Sequence, residues 1–377
     1  MATNSNQRST GGTSKRRLTA QEREAKKKRK IIIFAIEIVV ILAMIAILYV
    51  VMTKTNSDGP SYTVLEPEQL AIPEEVQKEK EEGGAMTGYM NIALFGVDAT
   101  KDSELYKGSR SDSMMIASIN LETGDIKLVS VYRDTYLNRG NDVYDKANGA
   151  YSLGGAEQAV KMLNMNLDMD IENFVTVGYG GLSEVIDGLG GVYIDVDSEE
   201  LKHINNYQIG IANTLKCDYK PVTQTGYQLL DGIQATTYCR IRYTAGDDFK
   251  RAARQREVIK AIEEQAKKAD LATLTKVFND AIDDIYTSLD SEDILELLEN
   301  INDYQIVEEG GFPEESMRTT ANIGAKGSCV IPVNLEQNVV WLHHFLFEDE
   351  DYTVTDNIKE YNTKIESDTS PYINRLN

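Results

Sequence analysis

Arginine is concentrated in one short stretch of an otherwise acidic chain. The segment "CRIRYTAGDDFKRAARQREVI" contains five arginines: Arg240, Arg242, Arg251, Arg254 and Arg256. A guanidinium group binds phosphate oxygens through two parallel hydrogen bonds, which the point charge of a lysine does not reproduce. The stretch therefore predicts a site for a phosphate-bearing ligand.

Three side chains of this stretch are predicted to share one helix face. The segment "DDFKRAARQREVIKAIEEQAKK" has the pattern of a helix with Asp247 or Asp248 as its N-cap. Arg251, Arg254 and Gln255 are three and four residues apart, and they lie near the N-terminal end of that helix. The helix dipole disfavours cations at this end and favours anions. Arginines placed there indicate a bound anion.

Two arginine–aspartate pairs stand at the ends of a predicted β-hairpin. In "GSRSDSMMIASINLETGDIKLVSVYRDTYL", Glu-Thr-Gly-Asp joins two apolar runs. Arg110 and Asp112 begin the first strand and Arg133 and Asp134 follow the second, so antiparallel pairing brings these ends together. Asp98 ends the preceding buried strand, "MNIALFGVD". Carboxylates such as Asp98 and Asp112 suit Mg²⁺, which usually binds one or two carboxylates plus substrate phosphates. The strand ends are predicted to hold a cation and a phosphate chain together.

Each signal also has a simpler interpretation. An isolated Arg-Asp pair is usually a surface salt bridge of little energetic value. The helix by itself is an ordinary solvated amphipathic helix, and Asp98 by itself is a turn residue. Only the combination favours a site.

Charge is distributed unevenly along the 377 residues, whose net charge is −21. The first 30 residues carry ten basic and two acidic side chains, whereas the rest carries 29 basic and 58 acidic ones. A body this acidic lacks the basic face that a nucleic-acid-binding protein needs, so nucleic acid is excluded as a partner. Three histidines and three cysteines without C-x-x-C spacing favour neither a zinc site nor histidine catalysis, although one disulfide is compatible with the count.

Residues 31–52, "IIIFAIEIVVILAMIAILYVVM", form an apolar run that would span roughly 33 Å as a helix. The basic residues 1–30 precede it, and the positive-inside rule places them in the cytoplasm and the remainder outside. The run is longer than a usual signal sequence and lacks a small-residue cleavage motif, which favours an uncleaved anchor over a cleaved signal peptide. Residues 53–88, with prolines, glycines and a charge run, are predicted to be an extracellular linker. The expected location is the cell membrane, with a single span.

Helical and strand patterns alternate after the linker. This order predicts an α/β fold, an α-β-α sandwich around a mixed β-sheet, preceded by one transmembrane helix. One segment, "DGIQATTYCRIRY", is interpreted as a helix that runs into a strand. The folded domain is predicted to cover residues 89–348, followed by a loose polar tail at 349–377.

These segments resemble the LytR-CpsA-Psr family of bacterial cell-wall proteins. The resemblance runs in order through "MNIALFGVD", "GSRSDSMMIASIN", "LVSVYRDTYL", "DKANGAYSLGG", "VIDGLGGVYIDV", "LLDGIQATTYCRIRY" and "GDDFKRAARQREVI". It covers residues 89–265, and more loosely the chain to residue 348 through "GSCVIPVN". Two departures are Ser113, where threonine is frequent in the family, and Tyr132, where proline is common.

The resemblance implies an extracellular, magnesium-dependent phosphotransferase of a Gram-positive-type bacterium. Such an enzyme moves an anionic glycopolymer from a polyprenyl-pyrophosphate carrier to a peptidoglycan hydroxyl, and an apolar tunnel holds the prenyl tail. By motif position, Asp98 and Asp112 would be the metal ligands. The residues that would bind the pyrophosphate are Arg110, Arg133, Lys146, Arg240, Arg242, Arg251, Arg254 and Gln255.

The implied catalytic set consists of Arg110, Arg133, Arg240, Arg242 and Asp134. Positioning and charge neutralisation are what phosphoryl transfer asks of a protein. Asp98 and Asp134 are the alternatives for the base, although a carboxylate that holds a metal is a poor one. Two other functions stay open: a non-catalytic binder or envelope regulator of prenyl-linked polymers, and a polyprenyl-pyrophosphate hydrolase.

Overall fold

A six-stranded mixed sheet forms the centre of the computed structural model, which describes residues 63, 65, 69–99, 103–242 and 247–373. The strands are β1 (Tyr89–Val97), β2 (Ser111–Asn120), β3 (Asp125–Val131), β4 (Tyr136–Asn138), β5 (Tyr144–Lys146), β6 (Asn173–Val177), β7 (Val192–Val196), β8 (Gly226–Leu230), β9 (Ile285–Thr287), β10 (Gln305–Phe312), β11 (Arg318–Asn322) and β12 (Ser328–Pro332). The order in the large sheet is β10-β3-β2-β1-β6-β9, and three two-stranded ribbons pair β4 with β5, β7 with β8 and β11 with β12.

The helices connect these strands. They are α1 (Glu74–Glu81), α2 (Ser103–Tyr106), α3 (Gly149–Leu167), α4 (Tyr179–Gly188), α5 (Ser198–Leu215), α6 (Gly232–Tyr238), α7 (Asp247–Ala266), α8 (Leu271–Ala281), α9 (Ser291–Glu299), α10 (Leu335–Phe347) and α11 (Asp356–Ile373). No helix among the described residues is long and apolar enough to cross a membrane. The predicted span at 31–52 lies outside the described residues.

The predicted hairpin is confirmed and sets the frame of the site. β2 pairs antiparallel with both β1 and β3, and β6 runs parallel to β1. Successive side chains of a strand point to opposite faces. Phe95 accordingly packs in a large core with side chains of α3, α10 and α11, whereas Leu94 faces a cavity that Val258 and Ile262 of α7 also line. Helices cover both faces of a mixed sheet, as predicted.

Helix α3 begins earlier than its apolar spacing indicates, and it bends at a glycine pair. Gly154 and Gly155 depart from helical dihedral angles, and Gly155 has a φ of 70°. A Cβ atom there would lie 2.2 Å from the carbonyl oxygen of Tyr106. The close approach of α2 to α3 therefore requires glycine at this position.

The strand predicted after α6 is wrong. Two backbone hydrogen bonds, from Arg240 N to Thr237 O and from Ile241 N to Tyr238 O, continue the helix as a tighter turn. The side chain of Ile241 is fully buried. Both predicted alternatives for the N-cap are also wrong, because α7 begins at Asp247 itself and Asp248 lies in its first turn.

The predicted linker is wrong over its second half, which belongs to the folded body. Helix α1 lies within the segment, and Leu70, Val76 and Met86 are buried in the large core. Lys80 forms an ion pair at 2.6 Å with the buried carboxylate of Asp170. Apolar residues are too sparse here to give a helical period, so the sequence pattern did not reveal the packing.

The polar tail is not loose either, because helix α11 packs on the domain. Ile358 and Ile365 are fully buried among residues of the large core. The connection to α11 is fixed by Asp168, a buried residue in the left-handed region at the end of α3. Its carboxylate accepts hydrogen bonds from Tyr352 Oη, Thr355 N and Thr355 Oγ1.

The three cysteines, Cys217, Cys239 and Cys329, are free thiols.

Candidate active site

The two strand ends of the hairpin meet through an ion pair. Arg133 lies two residues after the end of β3, and its Nη1 donates a hydrogen bond of 2.7 Å to Asp112 Oδ1 at the start of β2. Both side chains are largely withdrawn from solvent, with 18% of Arg133 and 32% of Asp112 exposed. The antiparallel register thus places two of the sequence-predicted residues in direct contact.

Asp248, in the first turn of α7, contacts Arg133 of this pair and two further arginines. The carboxylate of Asp248 lies 3.8 Å from Arg133 Nε, 3.5 Å from Arg242 Nε and 3.2 Å from Arg251 Nη2. Asp112 Oδ2 lies 3.7 Å from Arg242 Nη2, and the main-chain oxygen of Asp112 accepts a hydrogen bond from Arg251. We call these five residues the arginine cluster: Arg133, Arg242, Arg251, Asp112 and Asp248.

The arginine cluster holds three arginines and two carboxylates, and Asp134 and Lys146 beside it add one charge of each sign. Burial, together with repulsion from Arg133 and Arg242, lowers the pKa of Arg251 to about 10. The attraction of Asp248 opposes this shift but offsets only part of it. Burial also acts against the charge of Arg133, but its three neighbouring carboxylates outweigh burial and raise the pKa. Arg133 Nε and Arg251 Nε are buried and make no hydrogen bond within the described ranges. Excess positive charge with unused donors favours an anionic ligand.

A second group of site residues surrounds Asp98, which follows β1. Arg240 Nη2 lies 3.8 Å from Asp98 Oδ2, and the Arg240 guanidinium lies 4.3 Å from the ring centroid of Tyr179. Burial, together with Asp98 and Asp112, raises the pKa of Tyr179, whereas Arg240 opposes the shift. Neither Tyr179 nor Asp248 was predicted as a site residue from the sequence. Tyr179 lies just after β6, a strand whose parallel pairing with β1 only the structure shows.

Lys146 and Asp134 lie at the rim of the arginine cluster. Lys146 Nζ is 3.4 Å from Asp134 Oδ1, and Arg133 Nε is 3.8 Å from the same oxygen atom. Asp134, which was an alternative for the base, is thus held between two cations. Arg110 is exposed, and no hydrogen bond or ion pair of its side chain occurs in the described part of the chain.

The structure places Arg254 away from the other predicted phosphate-binding residues. Its side chain is 2% exposed, its Nε lies 2.8 Å from Glu200 Oε1, and its Nη1 donates to the main-chain oxygen of Ile241. Arg251 and Gln255, four residues apart, both line the cavity described next, whereas Arg254 turns toward α5. The prediction for Arg254 is therefore corrected to a buried ion pair inside the protein.

A cavity of about 760 Å³ begins at these charged groups and continues between the sheet and the helices α4, α5 and α7. Its charged end contains Asp98, Asp112, Tyr179, Arg240, Arg242 and Arg251. Its walls are apolar, with Leu94, Met115, Val175, Leu182, Val185, Ile259 and Ile262. The volume falls in the usual range for ligand pockets. This shape suits a ligand that has an anionic head and a long apolar tail.

The donor set at the charged end fits a magnesium ion in part. Asp98 and Asp112 line the same end of the cavity, because Val97 pairs with Ser111 in the register of β1 and β2. Among the described residues there is no group of three or more histidine, cysteine, aspartate or glutamate side chains that could hold a metal. Two carboxylates are nevertheless the protein share that Mg²⁺ commonly takes when substrate phosphates complete its coordination.

Comparison with known proteins agrees with this arrangement. The model of the LytR_cpsA_psr family matches residues 51–328. The polyisoprenyl-teichoic acid–peptidoglycan teichoic acid transferase TagU of Enterococcus faecalis is 29% identical over 207 residues, which are 54% of this chain and 63% of the relative. TagT of Bacillus subtilis, which carries the same transferase name, is 31% identical over 180 residues, 47% of this chain and 52% of the relative. The matches thus span between about half and 63% of these relatives' length.

A solved structure shares the fold. A crystal structure of a Streptococcus agalactiae protein superposes with a TM-score of 0.59 at 24% identity, covering 74% of this chain and 92% of that one. The likeness supports the mixed sheet with helices on both faces.

Arg251 and Arg254 lie three residues apart on one helix but should respond oppositely to replacement by methionine. Arg251→Met removes a buried cation that its neighbours repel, and we expect the protein to become about 1 kcal/mol more stable. Arg254→Met leaves Glu200 buried without its partner and should cost about 3–5 kcal/mol. Equilibrium unfolding in urea of residues 60–377 measures both. Equal destabilisation by the two substitutions would contradict the assignment of Arg251 to a ligand site.

Proposed function

The chain belongs to the LytR-CpsA-Psr family, and we propose that it is a phosphotransferase that moves an anionic glycopolymer from a polyprenyl-pyrophosphate carrier to a peptidoglycan hydroxyl. The observation that carries this proposal is the continuity of the arginine cluster with the apolar cavity, which Asp112, Arg242 and Arg251 of the cluster line. A prenyl pyrophosphate has an anionic head and an apolar tail that match the two parts. The names of the Enterococcus and Bacillus relatives, transferases of polyisoprenyl-linked teichoic acid to peptidoglycan, support the substrate class.

The side chains of the site would act by holding the pyrophosphate and stabilising the charge that develops on it. The acceptor oxygen forms a bond to the phosphorus atom that carries the glycopolymer, and the bond from that phosphorus to the prenyl phosphate breaks. The electron pair of the broken bond stays with the departing prenyl phosphate, and the proton of the acceptor hydroxyl is released to solvent. Arg133, Arg242 and Arg251 neutralise the departing prenyl phosphate. The apolar walls of the cavity would hold the prenyl tail and exclude water from the part of the cavity that the tail occupies.

We propose Mg²⁺ as the cofactor, held by Asp98 and Asp112 with phosphate oxygens of the substrate. The ion would supply positive charge to the pyrophosphate. Both carboxylates already lie beside arginines, Asp98 near Arg240 and Asp112 near Arg133. A metal ion held there would therefore act on the same anion as these guanidinium groups.

We also propose that the chain is a single-pass protein of the cell membrane of a Gram-positive-type bacterium. Residues 31–52 would span the bilayer, residues 1–30 would lie in the cytoplasm, and the folded body would lie outside. The substrate proposal supports this location, because peptidoglycan is outside the membrane. The basic segment before the span supports the same orientation.

Arg133→Ala should lower the rate of transfer roughly 10²–10³-fold, as loss of one preorganised donor does elsewhere. The assay uses the full chain in detergent, a polyprenyl-pyrophosphate-linked glycopolymer and peptidoglycan fragments, and it measures both released prenyl phosphate and joined product. Arg139→Ala is the matched control, because Arg139 is similarly buried but pairs with Asp145, whereas the partner of Arg133, Asp112, lines the cavity. Its rate should be nearly unchanged.

The two products separate the alternatives. Joined product that depends on Arg133 supports the transferase. Release of prenyl phosphate without joined product would indicate a hydrolase. Binding of the lipid without any turnover would instead indicate a binder or regulator.

The same assay tests the metal. Chelation of divalent ions should abolish transfer, and added Mg²⁺ should restore it. Asp98→Asn should raise the Mg²⁺ concentration needed for half-maximal rate, because one ligand loses its charge. Full activity in the presence of chelator would contradict the magnesium proposal, because the basic side chains of the site would then supply the positive charge without a metal.

Thiol labelling tests the orientation. Cys217 is exposed whereas Cys239 and Cys329 are buried, so a membrane-impermeant maleimide should label one cysteine per chain in intact cells. Cys217→Ser should remove the label. If labelling required permeabilised cells, the folded body would lie in the cytoplasm and the proposed topology would be wrong.

A further inference from the structure

Arg240 is the least restrained arginine at the charged end of the cavity. Its side chain is 37% exposed, and its ion pair with Asp98, itself 51% exposed, has a distance of 3.8 Å. Ion pairs between exposed side chains contribute little and do not fix a long side chain. Arg133, in contrast, is held at 2.7 Å by Asp112. Arg240 therefore needs another contact to stay directed at the cavity.

The ring of Tyr179 provides that contact. The guanidinium carbon of Arg240 lies 4.3 Å from the ring centroid, within the range of a cation–π interaction. Tyr179 is the first residue of α4, directly after Gly178 and close to the end of β6. The next two residues, Gly180 and Gly181, pack so closely on Asp284 that a Cβ atom at either would lie within 3.0 Å of it. The ring is thus attached to a rigid part of the fold.

The hydroxyl group of Tyr179 has a separate property. It is buried at the charged end of the cavity beside Asp98 and Asp112, and although the Asp98 carboxylate is near enough to interact with it, it forms no hydrogen bond of normal geometry to any residue that the structure describes. A buried hydroxyl without a partner is unfavourable, and native structures rarely keep one without a reason. A phosphate oxygen in this end of the cavity would accept a hydrogen bond from it.

We propose that Tyr179 is part of the phosphate-binding site, with its ring holding Arg240 and its hydroxyl group donating a hydrogen bond to the bound anion. The proposal rests on the proposed function for the identity of that anion as the pyrophosphate of the lipid carrier. The ring acts through Arg240 and is a positioning element, whereas the hydroxyl touches the substrate. The two roles are separable by substitution.

The test measures the affinity of farnesyl pyrophosphate for the full chain in detergent. Tyr179→Phe keeps the ring and removes the hydroxyl, and it should weaken binding about tenfold, as expected for loss of a hydrogen bond to a charged group. Tyr179→Leu also removes the ring and should weaken binding about fivefold further. Thermal unfolding of each variant without ligand checks that the fold is retained.

The same two substitutions are then made in an Arg240→Ala background. Because the ring acts through Arg240, the Phe and Leu variants should bind equally there, a coupling that a general structural defect would not produce. If Tyr179→Leu still bound farnesyl pyrophosphate more weakly than Tyr179→Phe in the Arg240→Ala background, the positioning role of the ring would be overturned. Unchanged affinity of Tyr179→Phe would overturn the role of the hydroxyl.

Failure of the proposed function is distinguishable from failure of this inference. If the unaltered chain does not bind farnesyl pyrophosphate, the substrate assignment fails and the role of Tyr179 fails with it. If the unaltered chain and Tyr179→Leu bind equally well, only the role of Tyr179 is wrong. Arg133→Ala serves as the reference, because its ion pair does not involve Tyr179.

Discussion

Three arginines share two carboxylates at the meeting point of β2, β3 and α7, and the arrangement of the site depends on this charge imbalance. Asp112 and Asp248 are near enough to hold Arg133, Arg242 and Arg251 together, yet too few to neutralise them. Asp134, beside Arg133, does not remove the imbalance, because it is also paired with Lys146. Burial makes the imbalance more costly, since it lowers the pKa of Arg251. A protein keeps such a cluster at the expense of stability when an anion completes it.

The arginine cluster also borders an apolar cavity. One face of the sheet packs into a filled core, but the other face, with Leu94 and Val175, borders a cavity whose remaining walls come from α4, α5 and α7. Charge and apolar surface therefore meet at one end of one cavity. Neither part alone specifies a prenyl pyrophosphate, because arginine clusters bind many anions and apolar cavities bind many hydrocarbons. Their junction is the specific feature.

Much of the fold and of the arginine cluster follows from sequence. The hairpin was predictable because two apolar runs flank a turn signal, and antiparallel pairing then dictates that Asp112 and Arg133 meet. The spacing of residues along α7 was a less reliable guide to which side chains face the site. Arg251, Arg254 and Gln255 share a broad face, but only a contact with Glu200 on another helix decides that Arg254 turns inward. Single-helix geometry contains no information about that partner.

Other features escaped prediction for related reasons. Asp248 was interpreted as a helix cap because aspartate is favoured both at the N-cap and in the first turn of a helix. Its role in the site depends on a contact with Arg133, which lies far away in the sequence. Helices α1 and α11 carry too few apolar residues to show a period, although Val76 and Ile365 are buried. Tyr179 follows a strand that is parallel to β1, and strand order in a mixed sheet is not readable from local pattern.

The central claim is that one ligand occupies both the arginine cluster and the apolar cavity. The most direct test compares the affinities of inorganic pyrophosphate, farnesol and farnesyl pyrophosphate for the full chain by calorimetry in detergent. Burial of the farnesyl chain predicts that farnesyl pyrophosphate binds more than about tenfold more tightly than either fragment. Equal affinity for pyrophosphate with and without the farnesyl chain would contradict the claim, because it would separate the anion site from the cavity.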